Sequence, residues 1–218
     1  MSMTTVSQIP GIVLAAGLST RMGEPKQLLR FGNSTVIETV IDNMLGSKLS
    51  EVIVVLGHEV DKVRAKIQHK PVKVVFNSDY QGGMLTSAQC GARALPRNAT
   101  AFALMLVDQP LITLDLINLV VEAYQEVDKG IVLPSHNYRR GHPVIFDRSY
   151  IADVLALNVE SGGIRSLFRN CLEDIHYVEM HTNRVLKDID YWRDYEDALK
   201  EENEYKDGSG RTLSGHAE

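Results

Sequence analysis

The stretch Ile12-Val13-Leu14-Ala15-Ala16-Gly17-Leu18-Ser19-Thr20-Arg21-Met22-Gly23-Glu24-Pro25-Lys26 runs an apolar strand straight into a loop of small residues, and the loop then delivers one arginine and one lysine. Gly17, Ser19 and Gly23 place backbone N–H groups where no bulky side chain stands in the way, so several donors can converge on phosphate oxygens. Arg21 can fork onto two oxygens, whereas Lys26 acts as a compact point charge. The pattern suits a triphosphate. Neither G-x-x-x-x-G-K-[ST] nor G-x-G-x-x-G is present, so the loop is not one of those two phosphate cradles. Turn chemistry alone would explain an isolated Gly-Ser-Arg turn; it does not explain the whole string.

Working outward, strand-length apolar runs alternate with helical patterns, the mark of an α/β fold with a mostly parallel sheet. Strands are predicted at Ile9–Leu14, Glu51–Leu56, Val72–Phe76, Ala101–Val107, Gly130–Pro134, Pro143–Phe146, Ile175–Met180 and Val185–Ile189. Helices are predicted over Thr35–Leu45, Glu59–Gln68, Thr86–Leu95 and Leu114–Val127. Ile9–Leu14, Glu51–Leu56 and Ala101–Val107 are almost wholly apolar, as strands covered by helices on both faces must be.

Asp108-Gln109-Pro110 follows the third of these strands, which places Asp108 at the carboxyl edge of the sheet, where ligands of open α/β folds bind. One or two carboxylates with substrate phosphates are enough to hold Mg²⁺. An Asp-x-Pro alone reads first as a helix N-cap or turn former; its place after a buried strand, together with the first loop, reverses that in favour of the metal. Asn77, just after a strand, reaches the same edge, and Gly82-Gly83-Met84-Leu85-Thr86-Ser87 opens a helix whose free N–H groups suit a base carbonyl or phosphate, or are capped by Thr86 or Ser87. In a strand, Asp188 and Asp190 would share a face. Arg139-Arg140-Gly141-His142-Pro143 reads as a basic turn entering a strand.

LAAGLSTRMGEPK resembles the signature L-x-A-G-x-S-x-R-M-G-x-x-K of nucleotidyltransferases with a GT-A-like fold, and within them the molybdopterin nucleotidyltransferases. Leu106-Val107-Asp108-Gln109-Pro110 and Gly141-His142-Pro143-Val144-Ile145-Phe146 resemble the molybdenum cofactor cytidylyltransferase branch and its close relatives in purine catabolism, so that the likeness spans about residues 10–197. The resemblance implies a three-layer α/β/α, Rossmann-like fold of the GT-A type, and Mg²⁺, with Mn²⁺ as the alternative. It implies Leu14, Ala15, Ala16, Gly17, Ser19, Arg21, Lys26, Asn77, Ser87 and Asp108 as nucleotide-binding residues, with Arg21, Lys26 and Asp108 catalytic. Asp190 matches a second metal ligand in a D-I-D-T-P-E-D-like motif, although Tyr191-Trp192-Arg193-Asp194 replaces its Thr-Pro-Glu-Asp. Gln109, Arg140, His142 and Arg165 match the acceptor side, with His142 and the arginines expected to meet the terminal phosphate of a pterin. Glu160-Ser161 stands where the family has Gly-Asp, so that aspartate's role does not carry over.

The implied reaction moves CMP from CTP to the phosphate of molybdopterin and releases pyrophosphate. Ala16 and Gln109 match the cytidylyl branch, where the guanylyl branch reads L-A-G-G and D-M-P, and the Ala16 methyl is expected to narrow the base pocket. A sugar-1-phosphate or other small-acceptor nucleotidyltransferase stays open, as does a non-catalytic factor that carries the pterin to a client molybdoenzyme.

The 218 residues, 44% hydrophobic, support one large core, read as one domain over 1–200 with a frayed helix end and then a disordered tail over 201–218. A net charge of −5 lacks the basic excess of a nucleic-acid binder. Its two cysteines, Cys90 and Cys171, have no metal-ligand or disulfide-framework spacing. With a polar Met1–Gln8 and no apolar run near the ~20 residues that span a bilayer, the sequence is expected to be cytoplasmic with no membrane partner.

Overall fold

The computed structural model describes residues 8–160 and 162–208; Ser161 and the part of the expected tail beyond Gly208 lie outside them. The main sheet contains β1 (Gly11–Ala15), β4 (Val52–Leu56), β5 (Lys73–Phe76), β6 (Ala101–Leu106), β7 (Ile131–His136), β8 (Arg139–Arg140), β9 (Val144–Asp147) and β10 (Ile175–Glu179). A small hairpin, β2 (Arg30–Phe31) with β3 (Ser34–Thr35), stands apart. Strand order is β10-β7-β9-β6-β1-β4-β5, with β8 pairing on β7. β1, β4, β5 and β6 run parallel, while β9 lies antiparallel between β6 and β7.

Alternation along the strands splits the core into two faces. Val13, Val54, Ala103 and Met105 look to one side, where they meet Ile37, Val40, Ile41 and Met44 of α1 (Val36–Leu45), Val63 of α2 (Val60–Ile67) and Val120 of α4 (Leu114–Glu126). Ile12, Val55, Phe102 and Leu104 look to the other, against Ala88 and Ala92 of α3 (Met84–Arg93), Val154 of α5 (Tyr150–Ala156) and Leu167 of α6 (Ile164–Asn170). These are the three layers expected. Thr35 caps α1 through a reciprocal box: its hydroxyl accepts from the Glu38 N–H, and the Glu38 carboxylate accepts from the Thr35 N–H at 3.0 Å.

Two expectations need correction. Val185–Ile189 is not a strand: Asn183–Leu186 is a 3₁₀ turn, and the segment makes isolated bonds, His142 N–H to Val185 C=O and Ile189 N–H to Asp108 C=O. Its apolar residues serve two cores at once, since Val185 packs under the sheet while Ile189 joins Met22, Phe31, Val36, Leu111 and Ala198 in a third, smaller cluster. Chain that crosses between two cores is apolar without pairing. The final helix, α7 (Trp192–Gly208), runs past residue 200 into the stretch read as frayed end and tail. Ala198 anchors it in the small core, and Glu201 forms ion pairs with Arg184 and Lys187.

Candidate active site

From β1 the chain moves outward through β4 to β5 and then returns to place β6 on β1's other side. The order therefore reverses between β1 and β6, and the crevice beyond their carboxyl ends is where such sheets bind ligands. The loop after β1 and the residue after β6 both open there. A cavity of about 340 Å³ is lined by Leu14, Gly17, Ser19, Arg21, Lys26, Ser87, Asp108 and Asp190.

The first loop organises itself around Ser19, which adopts a left-handed φ of 51°. Its carbonyl accepts from the Met22 and Gly23 N–H groups, its hydroxyl accepts from the Lys26 N–H at 3.1 Å, and the same hydroxyl donates to Gln27 Oε1 at 3.3 Å. Gly23 turns the chain at φ 72°, which glycine adopts without strain. Gly17 has no atom within 4 Å of where a side chain would start, so its bare backbone faces open cavity.

Lys26 Nζ donates to Asp108 Oδ2 at 2.6 Å, to Ile189 C=O at 2.9 Å and to Asp190 Oδ1 at 3.1 Å. Burial alone would lower its pKa, but Asp108 and Asp190 outweigh burial and hold it above the ordinary lysine value. Arg21 pairs with the other oxygen of Asp190 and lies over the Tyr191 ring, 5.6 Å from its centroid. Asp108 Oδ1 is buried with no hydrogen-bond partner among the described residues. An orphaned carboxylate oxygen beside a second carboxylate fits an oxygen-loving divalent cation. Among the described residues no group of three or more such ligands forms, so substrate oxygens or water would complete the shell.

Asp188 and Asp190 do not share a face. Asp190 lines the main cavity, whereas Asp188 lines a neighbouring one with Asp194 and Asp197, its pKa raised by burial and then by the charge of Asp108. The loss of the expected strand separates them.

Other predicted residues fall outside the cavity lining. Ala15 is wholly buried in the β1 core. Ala16 is buried too, and a Cβ on Gly57 would lie 2.8 Å from the Ala16 methyl and 2.5 Å from Tyr80 Cβ. Gly57 thus leaves room between the Ala16 methyl and Tyr80, and of the two only Tyr80 lines the cavity. Asn77 donates to Thr86 Oγ1 and Ser87 Oγ at 3.0 Å each and accepts from the Asp79 N–H, which fixes the turn into α3. Gln109 is buried with Oε1 unpartnered among the described residues.

Arg140 lies with its guanidinium 5.2 Å from the Phe168 ring centroid and donates to the Tyr177 hydroxyl at 2.7 Å. Arg165 is exposed in the first turn of α6. Burial lowers the His142 pKa to about 4 against the opposing pull of Asp108, so its imidazole is neutral near neutral pH. The sequence did not single out Tyr80, Gln81, Met84 and Leu18 as site residues, and they too line the wall. Tyr80 and Gln81 follow a strand on the ligand-binding edge, and that position was the available signal.

An open sheet that gathers basic groups, paired carboxylates and bare backbone at its switch point is the arrangement of a nucleotidyltransferase. Comparison with known proteins carries this further: residues 11–177 match the MobA-like NTP transferase domain, and the chain belongs to that family. It is 28% identical to the molybdenum cofactor cytidylyltransferase of Escherichia coli K12 over 188 residues, 85% of this chain and 92% of that protein. It is also 29% identical over 202 residues to nicotine blue oxidoreductase of Paenarthrobacter nicotinovorans, covering 87% and 96% respectively. Among solved structures, Rv0371c of Mycobacterium tuberculosis H37Rv in complex with manganese superposes with a TM-score of 0.71 at 25% identity, covering 89% of this chain and 98% of that one. Among the described residues no helix is long and apolar enough to cross a membrane.

Proposed function

We propose that this chain transfers CMP from CTP to the phosphate of molybdopterin, with Mg²⁺ as the metal and pyrophosphate as the leaving group. The observation that carries the reading is the meeting of Arg21, Lys26, Asp108 and Asp190 at one glycine-lined cavity. Asp108 and Asp190 would hold the metal, which when bound neutralises phosphate charge and polarises the phosphoryl group under attack.

The chain's own groups bind and position. Backbone N–H groups around Gly17 and Ser19 receive triphosphate oxygens, Arg21 engages two of them, and Lys26 meets the charge that builds as pyrophosphate leaves. An acceptor oxygen forms a bond to the α-phosphorus while the α–β bridging bond breaks. The acceptor phosphate is already ionised near neutral pH, so no general base is required. Gln109, Arg140 and Arg165 are the proposed acceptor contacts, with a neutral His142 behind them. Tyr80, backed by Ala16 and Gly57, is the proposed route by which position 16 affects base choice. A client molybdoenzyme would receive the product.

A fold alone does not fix chemistry, and the relative named as an oxidoreductase belongs to the same comparison. The test is pyrophosphate release with molybdopterin, Mg²⁺ and each of the four NTPs. CTP should lead GTP by a finite factor, because one methyl's worth of packing gives only ~1–3 kcal/mol of discrimination. No release with any NTP overturns the reading. Release with sugar 1-phosphates alone reassigns the acceptor, and preference for GTP reassigns the base.

A further inference from the structure

All three ammonium hydrogens of Lys26 find protein acceptors: Asp108 Oδ2, Asp190 Oδ1 and the Ile189 carbonyl. Its side chain is 14% exposed and that of Asp108 17%, so the contact lies where water screens it weakly. The remaining ion pair, Arg21 with Asp190, closes the set. Two positive side chains answer the two carboxylates that line the cavity, with Asp188 within electrostatic reach from the neighbouring pocket.

A divalent cation entering alone would meet an ammonium held against Asp108 Oδ2 and Asp190 Oδ1, with Asp108 Oδ1 unpartnered but buried. We propose that Lys26 is the resident counter-ion of the Asp108–Asp190 pair, standing where the metal binds, and that the metal is admitted together with the nucleotide. The triphosphate supplies what the metal alone cannot, namely new anionic partners for Lys26 and Arg21. Once those side chains move onto phosphate oxygens, the two charges of the metal take over the two carboxylates. By donating to both, Lys26 holds together two carboxylates whose like charges would otherwise push apart. This proposal rests on the nucleotidyl-transfer reading of the site and deepens it: metal and nucleotide bind with strong positive coupling.

The test is direct Mn²⁺ binding, followed by the electron paramagnetic resonance signal of free Mn²⁺, on the full chain without nucleotide and again with CTP. Lys26→Met keeps the stem and removes the charge, and Lys26→Gln is a second variant should the first fail to fold. Without CTP, either variant should bind Mn²⁺ at least tenfold more tightly than the unaltered protein. With CTP, the unaltered protein should gain at least tenfold in Mn²⁺ affinity and the variants much less. Adding Asp108→Asn to Lys26→Met should remove the gained site. Equal Mn²⁺ uptake by the unaltered protein and the Lys26 variants without CTP overturns the proposal alone, as does a gained site that survives Asp108→Asn. Absence of Mn²⁺ uptake by every form, with or without CTP, overturns the proposal and the transferase reading together.

Discussion

Asp108 ends a buried strand with one carboxylate oxygen on Lys26 and the other unpaired. Asp108→Asn keeps the shape and removes the charge, so it should lower pyrophosphate release by ~10²–10³ in a protein that still folds, with some loss of melting temperature from the weakened Lys26 pair. A folded variant with near-normal turnover would show that this carboxylate has no part in the chemistry. His142 allows a second prediction, from the direction of its shift. Its pKa in the folded chain is about 4, below the 6.5 of an ordinary histidine, so the unfolded chain binds the extra proton between those values. The histidine's contribution to stability is therefore complete above pH 6.5 and is lost as pH falls towards 4, by roughly 3 kcal/mol in all. Denaturant unfolding of the unaltered protein and His142→Asn across that range should show a shallower acid slope in the variant.

At the scale of elements, the start of α7 grips the first loop and its exit. Trp192 Nε1 donates to the Met22 carbonyl at 3.2 Å, and the Tyr195 hydroxyl donates to the Arg30 carbonyl at 2.6 Å. Trp192→Phe keeps an aromatic ring and loses the donor, a change worth about 1 kcal/mol. It should raise the KM for the nucleotide about fivefold, with kcat little affected, in steady-state kinetics. Thr35→Ala removes the reciprocal cap of α1 and should cost about 1 kcal/mol, read as a fall of ~2–4 °C in melting temperature. The strands flanking the site were legible because both their faces are buried, leaving apolar runs that nothing else explains. Trp192's part was not legible, because a Thr-Pro pair replaced by Tyr191-Trp192 reads only as a departure until the indole is seen to reach Met22. The same holds for Lys26, whose charge was plain in the sequence while its three acceptors come from residues far along the chain.

For the molecule as a whole, the reversal of strand order between β1 and β6 determines where a ligand acts, and the sequence pattern located both strands. It did not show the antiparallel β9 beside them, since an apolar run carries no direction. Binding at this crevice ties β1, β6 and the chain's end into one unit, so a nucleotide should stabilise the entire fold. At a hundred times its dissociation constant, CTP with Mg²⁺ should add ~2.7 kcal/mol, raising the melting temperature by about 5–11 °C in a scanning fluorescence assay. A nucleotide that leaves the melting temperature unmoved at millimolar concentration is not a ligand of the folded chain.

Ile189 donates its N–H to the carbonyl of Asp108, and with Asp190 it completes the shell around Lys26. These residues leave the ribosome long after the strands they serve. A nascent chain that has emerged through β6 already carries β5, β4, β1 and β6 in their final order, yet Lys26 has two of its three acceptors still unsynthesised. Domains fold from the amino end as they are made. The strands that flank the crevice can thus be laid down first, and the shell around Lys26 closes only when Ile189 and Asp190 come to lie across their edge.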